Sequence, residues 1–140
     1  FPSREAMILG ALEHRDATYF RWLEAGPQEG AAHVLHPLVR LGDWLGEVAN
    51  TGCLFLNAWA QYPDSAAIAA VVRDHKARLA GEFRQRLARV APRQDTGHLA
   101  ETLFLLHEGM TQAARLQGRE IAYEAAMHAA RAALAAQNID

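Results

Sequence analysis

The balance between alanine and the β-branched residues is the feature that most constrains the fold of this chain. Alanine supplies 29 of the 140 residues, whereas Val, Ile and Thr together supply only 15. Alanine is the best helix former, and β-branched residues are among the commonest strand formers. The sequence therefore predicts an all-α fold.

Length and charge exclude several classes of protein. A chain of 140 residues can bury one hydrophobic core but is too short for two ordinary domains. Its 14 basic and 16 acidic residues give a net charge of −2, which provides no basic surface for a nucleic-acid backbone. Charged residues or glycine interrupt every apolar run before it reaches roughly 20 residues, so we expect no membrane span. The single cysteine and the lack of a secretory signal indicate a cytoplasmic protein.

Hydrophobic periodicity and capping residues predict six helices. Ser3 precedes a periodic run that ends at a Gly-Pro pair, which predicts a first helix over about residues 4–25. The second helix carries leucines at one-turn spacing. We expect it to start near His36 or to kink there, because Pro37 lacks the backbone N–H that an interior turn needs.

The other four helices follow from the same signals. A turn at 50–52 precedes a short buried helix over 53–60. A long amphipathic helix begins after Asp64 or Ser65 and ends at Ala91-Pro92. A fifth helix runs from Asp95 or Thr96 to Gly118, and a last helix follows near 119–136.

The last two helices carry more apolar surface than one small core can cover. Beside its main seam of Leu99, Leu103 and Leu106, the fifth helix has a second, weaker seam, and the sixth has a line of alanines. Another copy of the same chain is the expected cover. The expected dimer interface consists of Leu105, Gly109, Gln112, Leu116, Ala122, Ala126, Ala129 and Ala133.

Two short stretches and the order of the helices resemble the C-terminal regulatory domain of TetR-type transcriptional regulators. The run from Phe1 to Met7 is similar to the junction that follows the DNA-recognition helix in that family. Gly52-Cys53-Leu54-Phe55-Leu56-Asn57-Ala58 is similar to a Gly-Cys-x-x-x-Asn-Ala signature at the start of a short sixth helix. The resemblance covers about residues 1–137.

The resemblance implies that residues 1–140 form a six-helix ligand-binding and dimerisation domain, corresponding to helices four to nine of such a regulator. It implies a homodimer that binds a small-molecule effector and acts as a repressor released from DNA by that effector. Contact with operator DNA would be made only by a helix-turn-helix unit upstream of Phe1, which these residues do not contain. No catalytic activity, cofactor or metal ion is expected.

In a TetR-like arrangement, side chains from several helices converge on one cavity. Such a wall suits a mostly apolar or aromatic effector oriented by one or two hydrogen bonds. Few buried charges are expected there, which disfavours strongly anionic ligands. The expected lining residues are Phe20, Leu38, Leu41, Trp44, Leu45, Phe55, Asn57, Trp59, Tyr62, Val72, His75, Leu103, Leu106, His107, Met110 and Thr111.

Other interpretations of single residues remain open at this point. Cys53 at a helix N-terminus is either a sensor of oxidants or electrophiles or a buried core residue. His33 and His36 have a spacing typical of paired metal ligands, but no third ligand lies in register. His75 and His107 either bind a ligand or are core histidines with a hydrogen-bond partner. The same apolar faces would also suit a helical adaptor that binds another protein.

Overall fold

A computed structural model describes residues 3–48 and 52–140, and within these ranges it contains six α-helices and no β-strand. The all-α prediction is confirmed. Phe1-Pro2 of the TetR-like junction and positions 50–51 of the expected turn lie outside the described residues. The helices are α1 (Arg4–Trp22), α2 (Gly30–Glu47), α3 (Leu54–Gln61), α4 (Ala66–Val90), α5 (Gly97–Gln117) and α6 (Arg119–Ala136).

Capping explains where several helices begin. The Ser3 hydroxyl accepts a hydrogen bond from the Ala6 N–H at the start of α1, at 3.1 Å. The Ser65 hydroxyl accepts one from the Ile68 N–H at the start of α4, also at 3.1 Å. Gly118 has φ +98, in the left-handed region that favours glycine, and it separates α5 from α6. These boundaries agree with the prediction, whereas α1 ends three residues earlier than expected.

The expected start of α2 near His36 is wrong, because the helix begins at Gly30 and continues through Pro37. The alternative, a kink at this proline, stays a prediction. A proline at position 37 cannot donate to the carbonyl of His33, one turn earlier. Arg86 Nη1 of α4 donates to that carbonyl at 2.8 Å. A side chain from a distant helix thus replaces the missing backbone donor.

The helix α3 is less buried than the sequence predicts. Only Phe55 and Ala58 of its eight residues are buried, while Leu54 is 36% exposed and Asn57 is exposed. The apolar composition of this stretch therefore overstates its burial, because α3 contacts the rest of the chain through one side only.

Two hydrophobic clusters hold the helices together. The larger one joins α1, α2, α4, α5 and α6 around Leu38, Phe83 and Leu103. The smaller one joins α1, α3 and α4 around Leu12 and Ile68. A cavity lies between them and is lined by members of both clusters.

The last two helices pack side by side and leave an apolar face uncovered. Leu105, Leu116 and Ile121 are exposed to 66%, 86% and 58%. By contrast, Ala122 and Ala126 are 3% and 5% exposed and belong to the core of the chain itself. Their expected place in a dimer interface is therefore wrong, because the inward face of α6 already uses them.

The other expected interface residues lie at or near the surface. Gly109, Gln112 and Ala129 are exposed, and Ala133 is half-buried. The exposed line on α6 is rotated from the predicted one and runs through Ile121, Ala125, Ala129, Ala132 and Ala136. No helix in the described part of the chain has both the length and the apolar character needed to cross a bilayer.

Candidate functional site

The cavity between the two clusters has a volume of about 40 Å³. Five helical segments contribute to its wall, with Cys53 and its neighbours coming from the start of α3. The lining residues are Arg15, Tyr19, Leu41, Trp44, Leu45, Gly52, Cys53, Leu54, Phe55, His75, Lys76, His107 and Thr111. The wall combines aromatic rings with several polar groups, which is typical of small-molecule sites.

A buried hydrogen bond joins α1 to α5 at this cavity. The hydroxyl oxygen of Tyr19 lies 2.6 Å from His107 Nε2. Burial lowers the pKa of His107, so its ring is neutral at neutral pH, and burial raises the pKa of Tyr19. We assign the Tyr19 hydroxyl as the donor and Nε2 as the acceptor, which places the ring proton on Nδ1.

The second ring nitrogen of His107 has no hydrogen-bond partner among the described residues, although the side chain is only 4% exposed. The nearest carboxylate oxygen, Glu108 Oε1, lies 3.6 Å from Nδ1; this contact is longer than a hydrogen bond, but it is close enough to help lower the pKa of the Glu108 carboxyl. An unpaired buried N–H is costly. The cavity wall therefore includes a histidine whose buried N–H is left without a hydrogen bond in this conformation.

His75 contributes the complementary polarity. Its Nδ1 lies 2.8 Å from Asp16 Oδ1 on α1, and its ring stacks on Phe55 with centroids 3.7 Å apart. Burial lowers the pKa of His75 to about 4, although the hydrogen bond to Asp16 acts in the opposite direction. The neutral ring donates from Nδ1 to Asp16, so its Nε2 is an acceptor.

Charged groups that are half-buried also border the cavity, although no Lys, Arg, Asp or Glu is fully buried among the described residues. Lys76 Nζ lies 2.9 Å and 2.8 Å from the two carboxylate oxygens of Glu108, and 3.5 Å from Cys53 Sγ. Burial opposes ionisation of Glu108, but His107 and the Lys76 ammonium outweigh it and lower the pKa of this carboxyl to about 2. The Glu108 carboxyl is therefore ionised at neutral pH.

Arg15 adds a positive charge at the wall. Its guanidinium carbon lies 5.4 Å from the centroid of the Trp44 ring, a cation–π geometry. Within the ranges 3–48 and 52–140, no carboxylate lies within 4.0 Å of this guanidinium. Lys76 is paired with Glu108, so Arg15 is the lining cation without a carboxylate partner in the described ranges.

The structure brings together about half of the expected lining residues. Those at the cavity are Leu41, Trp44, Leu45, Phe55, His75, His107 and Thr111, together with Cys53. Those elsewhere are Phe20, Leu38, Val72, Leu103 and Met110 in the hydrophobic clusters, Trp59, Tyr62 and Leu106 in half-buried positions, and Asn57 on the surface.

Specific contacts explain two of these differences. Phe20 does not line the cavity: its ring packs edge-on against His75, with centroids 5.4 Å apart, and the guanidinium carbon of Arg78 lies 3.9 Å from its centroid. Trp59 lies on the outer side of α3, where Arg73 is 5.1 Å from its ring centroid. Both aromatic rings therefore cover the side chains of arginines instead of a ligand site.

Several cavity residues were not anticipated, namely Arg15, Tyr19, Gly52, Leu54 and Lys76, with Glu108 behind Lys76. A signal for two of them exists in the sequence. Lys76 directly follows His75, and Glu108 directly follows His107. One predicted histidine is thus followed by a base and the other by an acid. Where the two helices bring the histidines together, these neighbours of opposite charge can form an ion pair.

The two histidines considered as a metal pair are used otherwise. His33 Nδ1 lies 2.9 Å from the carbonyl oxygen of Pro27, and the ring of His36 packs against Gly26. In the described residues, no group of three or more His, Cys, Asp or Glu side chains is placed to hold a metal ion.

No family model, no curated protein and no solved structure matches the chain.

Proposed function

We propose that this chain is the effector-binding and dimerisation domain of a TetR-type transcriptional regulator, a repressor that leaves its operator when a small ligand occupies the cavity. The observation that carries the proposal is the unpartnered, buried Nδ1 of His107 in an aromatic-walled cavity shared by five helical segments. The order of the six helices and the uncovered face of α5 and α6 support it.

The wall favours a mostly apolar or aromatic ligand with one hydrogen-bond acceptor. Trp44 and Phe55 supply ring surfaces, and the His107 N–H meets the acceptor. A carboxylate on the ligand would also meet the unpaired positive charge of Arg15. The preferred ligand is therefore a small aromatic molecule with a carbonyl or a single carboxylate.

Ligand binding must change the shape of the domain. The cavity volume of about 40 Å³ has room for only a few water molecules, whereas sites for drug-sized ligands have roughly 300 Å³ or more. A ligand therefore binds a wider conformation better than the compact one. That difference in affinity is what shifts a regulator between two states.

Thermal unfolding tests the ligand class. We expect benzoate and benzaldehyde to raise the melting temperature, and toluene, which lacks an acceptor, to raise it less. The variant His107→Phe keeps an aromatic ring but removes the donor, and it should lose about tenfold in affinity for the acceptor ligands. Thr111→Val is the matched control at the same wall. Stabilisation only by highly charged ligands, or by none of the three, would contradict the proposal.

The dimer is tested separately on the uncovered apolar face of α5 and α6. Leu116→Glu places a charge there and should convert a dimer into a monomer in light scattering at micromolar concentration. Met7→Glu, at an exposed position of α1, is the control and should leave the mass unchanged. A monomeric wild-type chain under these conditions would refute the assembly.

The role of DNA is tested by a gel shift of this chain alone. Its net charge of −2 and the absence of a reading helix predict no specific complex, even at about 50 mM salt, where electrostatic binding is strong. Specific retardation of duplex DNA would refute the domain assignment.

A further inference from the structure

Apart from the histidines, the described residues that line the cavity include two basic side chains and no acidic one. Arg15 and Lys76 belong to this wall, whereas no Asp or Glu does. Lys76 is held by both carboxylate oxygens of Glu108, at 2.9 Å and 2.8 Å. The ammonium group therefore has its counterion within the fold, and Arg15 is the lining cation whose charge a ligand could balance.

The guanidinium group of Arg15 has no partner among residues 3–48 and 52–140. No carboxylate lies within 4.0 Å of it, and no side-chain hydrogen bond in these ranges involves it. The side chain is nevertheless half-buried. A guanidinium carries several N–H donors, and a donor that leaves water without finding an acceptor costs free energy. An anion in the cavity would supply acceptors that the described part of the fold does not.

The indole ring of Trp44 places the charged end of Arg15 at the wall. The guanidinium carbon lies 5.4 Å from the centroid of this ring, and Trp44 itself lines the cavity and is only 5% exposed. The contact therefore brings the guanidinium, and not only the alkyl stem, beside a lining ring. A side chain that is positioned before the ligand arrives loses less conformational entropy on binding.

The start of α3 adds positive potential to the same wall. Cys53, Leu54 and Phe55 line the cavity, and the N-cap residue Cys53 makes no side-chain capping hydrogen bond. The N-terminal end of a helix carries a partial positive charge, which favours a nearby anion. This contribution is secondary, because α3 has only eight residues, whereas Arg15 carries a full charge.

We propose that Arg15 determines the specificity of the cavity by selecting a ligand with a single carboxylate. The planar guanidinium matches the two oxygens of a carboxylate in a bidentate pair. A ligand with two negative charges would leave one of them without a counterion, because Lys76 is bound to Glu108. The inference rests on the proposed function in that it names the charge of the ligand for the same cavity, but it does not require the chain to bind DNA.

The carboxylate belongs either to a small free acid or to a larger aromatic one. The cavity of about 40 Å³ suits formate or acetate in its compact form, whereas benzoate needs the wider conformation. Both would pair with Arg15 in the same way. A comparison of each carboxylate with the neutral amide of the same shape therefore tests charge separately from size.

Chemical-shift titrations by NMR at pH 7 measure the binding of benzoate, benzamide, acetate and acetamide. We expect at least one carboxylate to bind about tenfold more tightly than its amide, with the largest shifts at Arg15 Nε–H and Trp44 Nε1–H. Arg15→Gln should remove this preference and leave the affinity for the amide unchanged, and the dispersion of its spectrum shows whether the variant is folded. Arg4→Gln removes the same charge from an exposed position of α1 and is the matched control. Phenyl phosphate, which carries a second charge, should bind more weakly than benzoate.

Equal affinities for each carboxylate and its amide would overturn the proposal, as would a preference that Arg15→Gln retains. A loss of the preference in Arg4→Gln, or tighter binding of phenyl phosphate than of benzoate, would also overturn it. Benzamide that binds as tightly as benzoate refutes the role of Arg15 but leaves the aromatic ligand of the proposed function standing. Acetate that binds through Arg15 while neither aromatic compound binds has the opposite meaning, and a chain that binds neither carboxylate contradicts both proposals.

Discussion

Acidification from pH 7 to pH 4 should destabilise the fold mainly through its buried histidines, and His75 allows the size of the effect to be worked out. Its side chain is 6% exposed, and burial lowers its pKa from 6.5 to about 4 despite the hydrogen bond to Asp16. Because the pKa in the folded state lies below that in the unfolded state, His75 contributes fully to the free energy of unfolding above pH 6.5. This contribution is lost as the pH falls through the window down to about 4.

Each unit of pKa shift corresponds to 1.36 kcal/mol, so His75 alone should remove about 3 kcal/mol of unfolding free energy between pH 7 and pH 4. Burial also lowers the pKa values of His36 and His107, which adds loss of the same sign. Glu108 destabilises the fold only at lower pH, because the pKa of its carboxyl falls from 4.5 in the unfolded chain to about 2 in the folded one. Between pH 6.5 and pH 4.5 the histidines therefore dominate.

Urea unfolding at pH 7, 6, 5 and 4 measures this dependence, with protein concentration held constant because a dimer makes stability depend on it. His75→Asn is the informative variant, because its amide can still donate to Asp16 and does not titrate. We expect the variant to be less stable at pH 7 but to lose about 3 kcal/mol less than the wild type on acidification. Parallel curves for the two proteins would show that His75 is not held neutral by burial.

Four further substitutions test local contacts and backbone conformation. Arg86→Met should cost about 1–3 kcal/mol of unfolding free energy in urea, because the carbonyl of His33 loses the donor that replaces the proline N–H. Gly26→Ala should also lower the free energy of unfolding by about 1–3 kcal/mol, since the φ of Gly26 is +111 and a Cβ would overlap the ring of His36. Gly10→Ala is the control in an open helical position, and it should raise the free energy of unfolding by about 0.5–1 kcal/mol. Tyr19→Phe should speed hydrogen exchange of the α1 amides, because α1 then loses its hydrogen bond to α5.

Local signals in the sequence predicted most helix boundaries, because caps act within a few residues. Ser3, Ser65 and Gly118 each mark an end where the structure has one. The start of α2 could not be predicted in this way. Whether Pro37 is tolerated inside a helix depends on Arg86, which belongs to another helix and is brought near only by the fold.

The cavity was predictable in part for a similar reason. Periodicity places His75 and His107 on inward faces, and both lie at the cavity. It does not say which inward residues meet a void and which meet another side chain, so Leu103 was included although it packs in the core. Two of the four alanines predicted for the outer line of α6, Ala122 and Ala126, face the core instead, because an alanine-rich helix shows little contrast between its faces.

The two histidines also explain how the cavity could act on the rest of the molecule. Both hold α1, one through Tyr19 and the other through Asp16, and α1 is the helix that the proposed function connects to a DNA-binding unit. Changing a two-state population from 1:99 to 99:1 needs about 5.5 kcal/mol of differential binding, whereas a single hydrogen bond contributes about 1 kcal/mol and an unsatisfied buried group costs about 1–3 kcal/mol. A hydrogen bond to His107 Nδ1 alone therefore cannot supply 5.5 kcal/mol of differential binding. To reach it, a ligand that widens the cavity has to change both contacts of α1 and the contacts of the aromatic wall as well. A ligand that only fills the space beside Trp44 would stabilise the domain without moving α1.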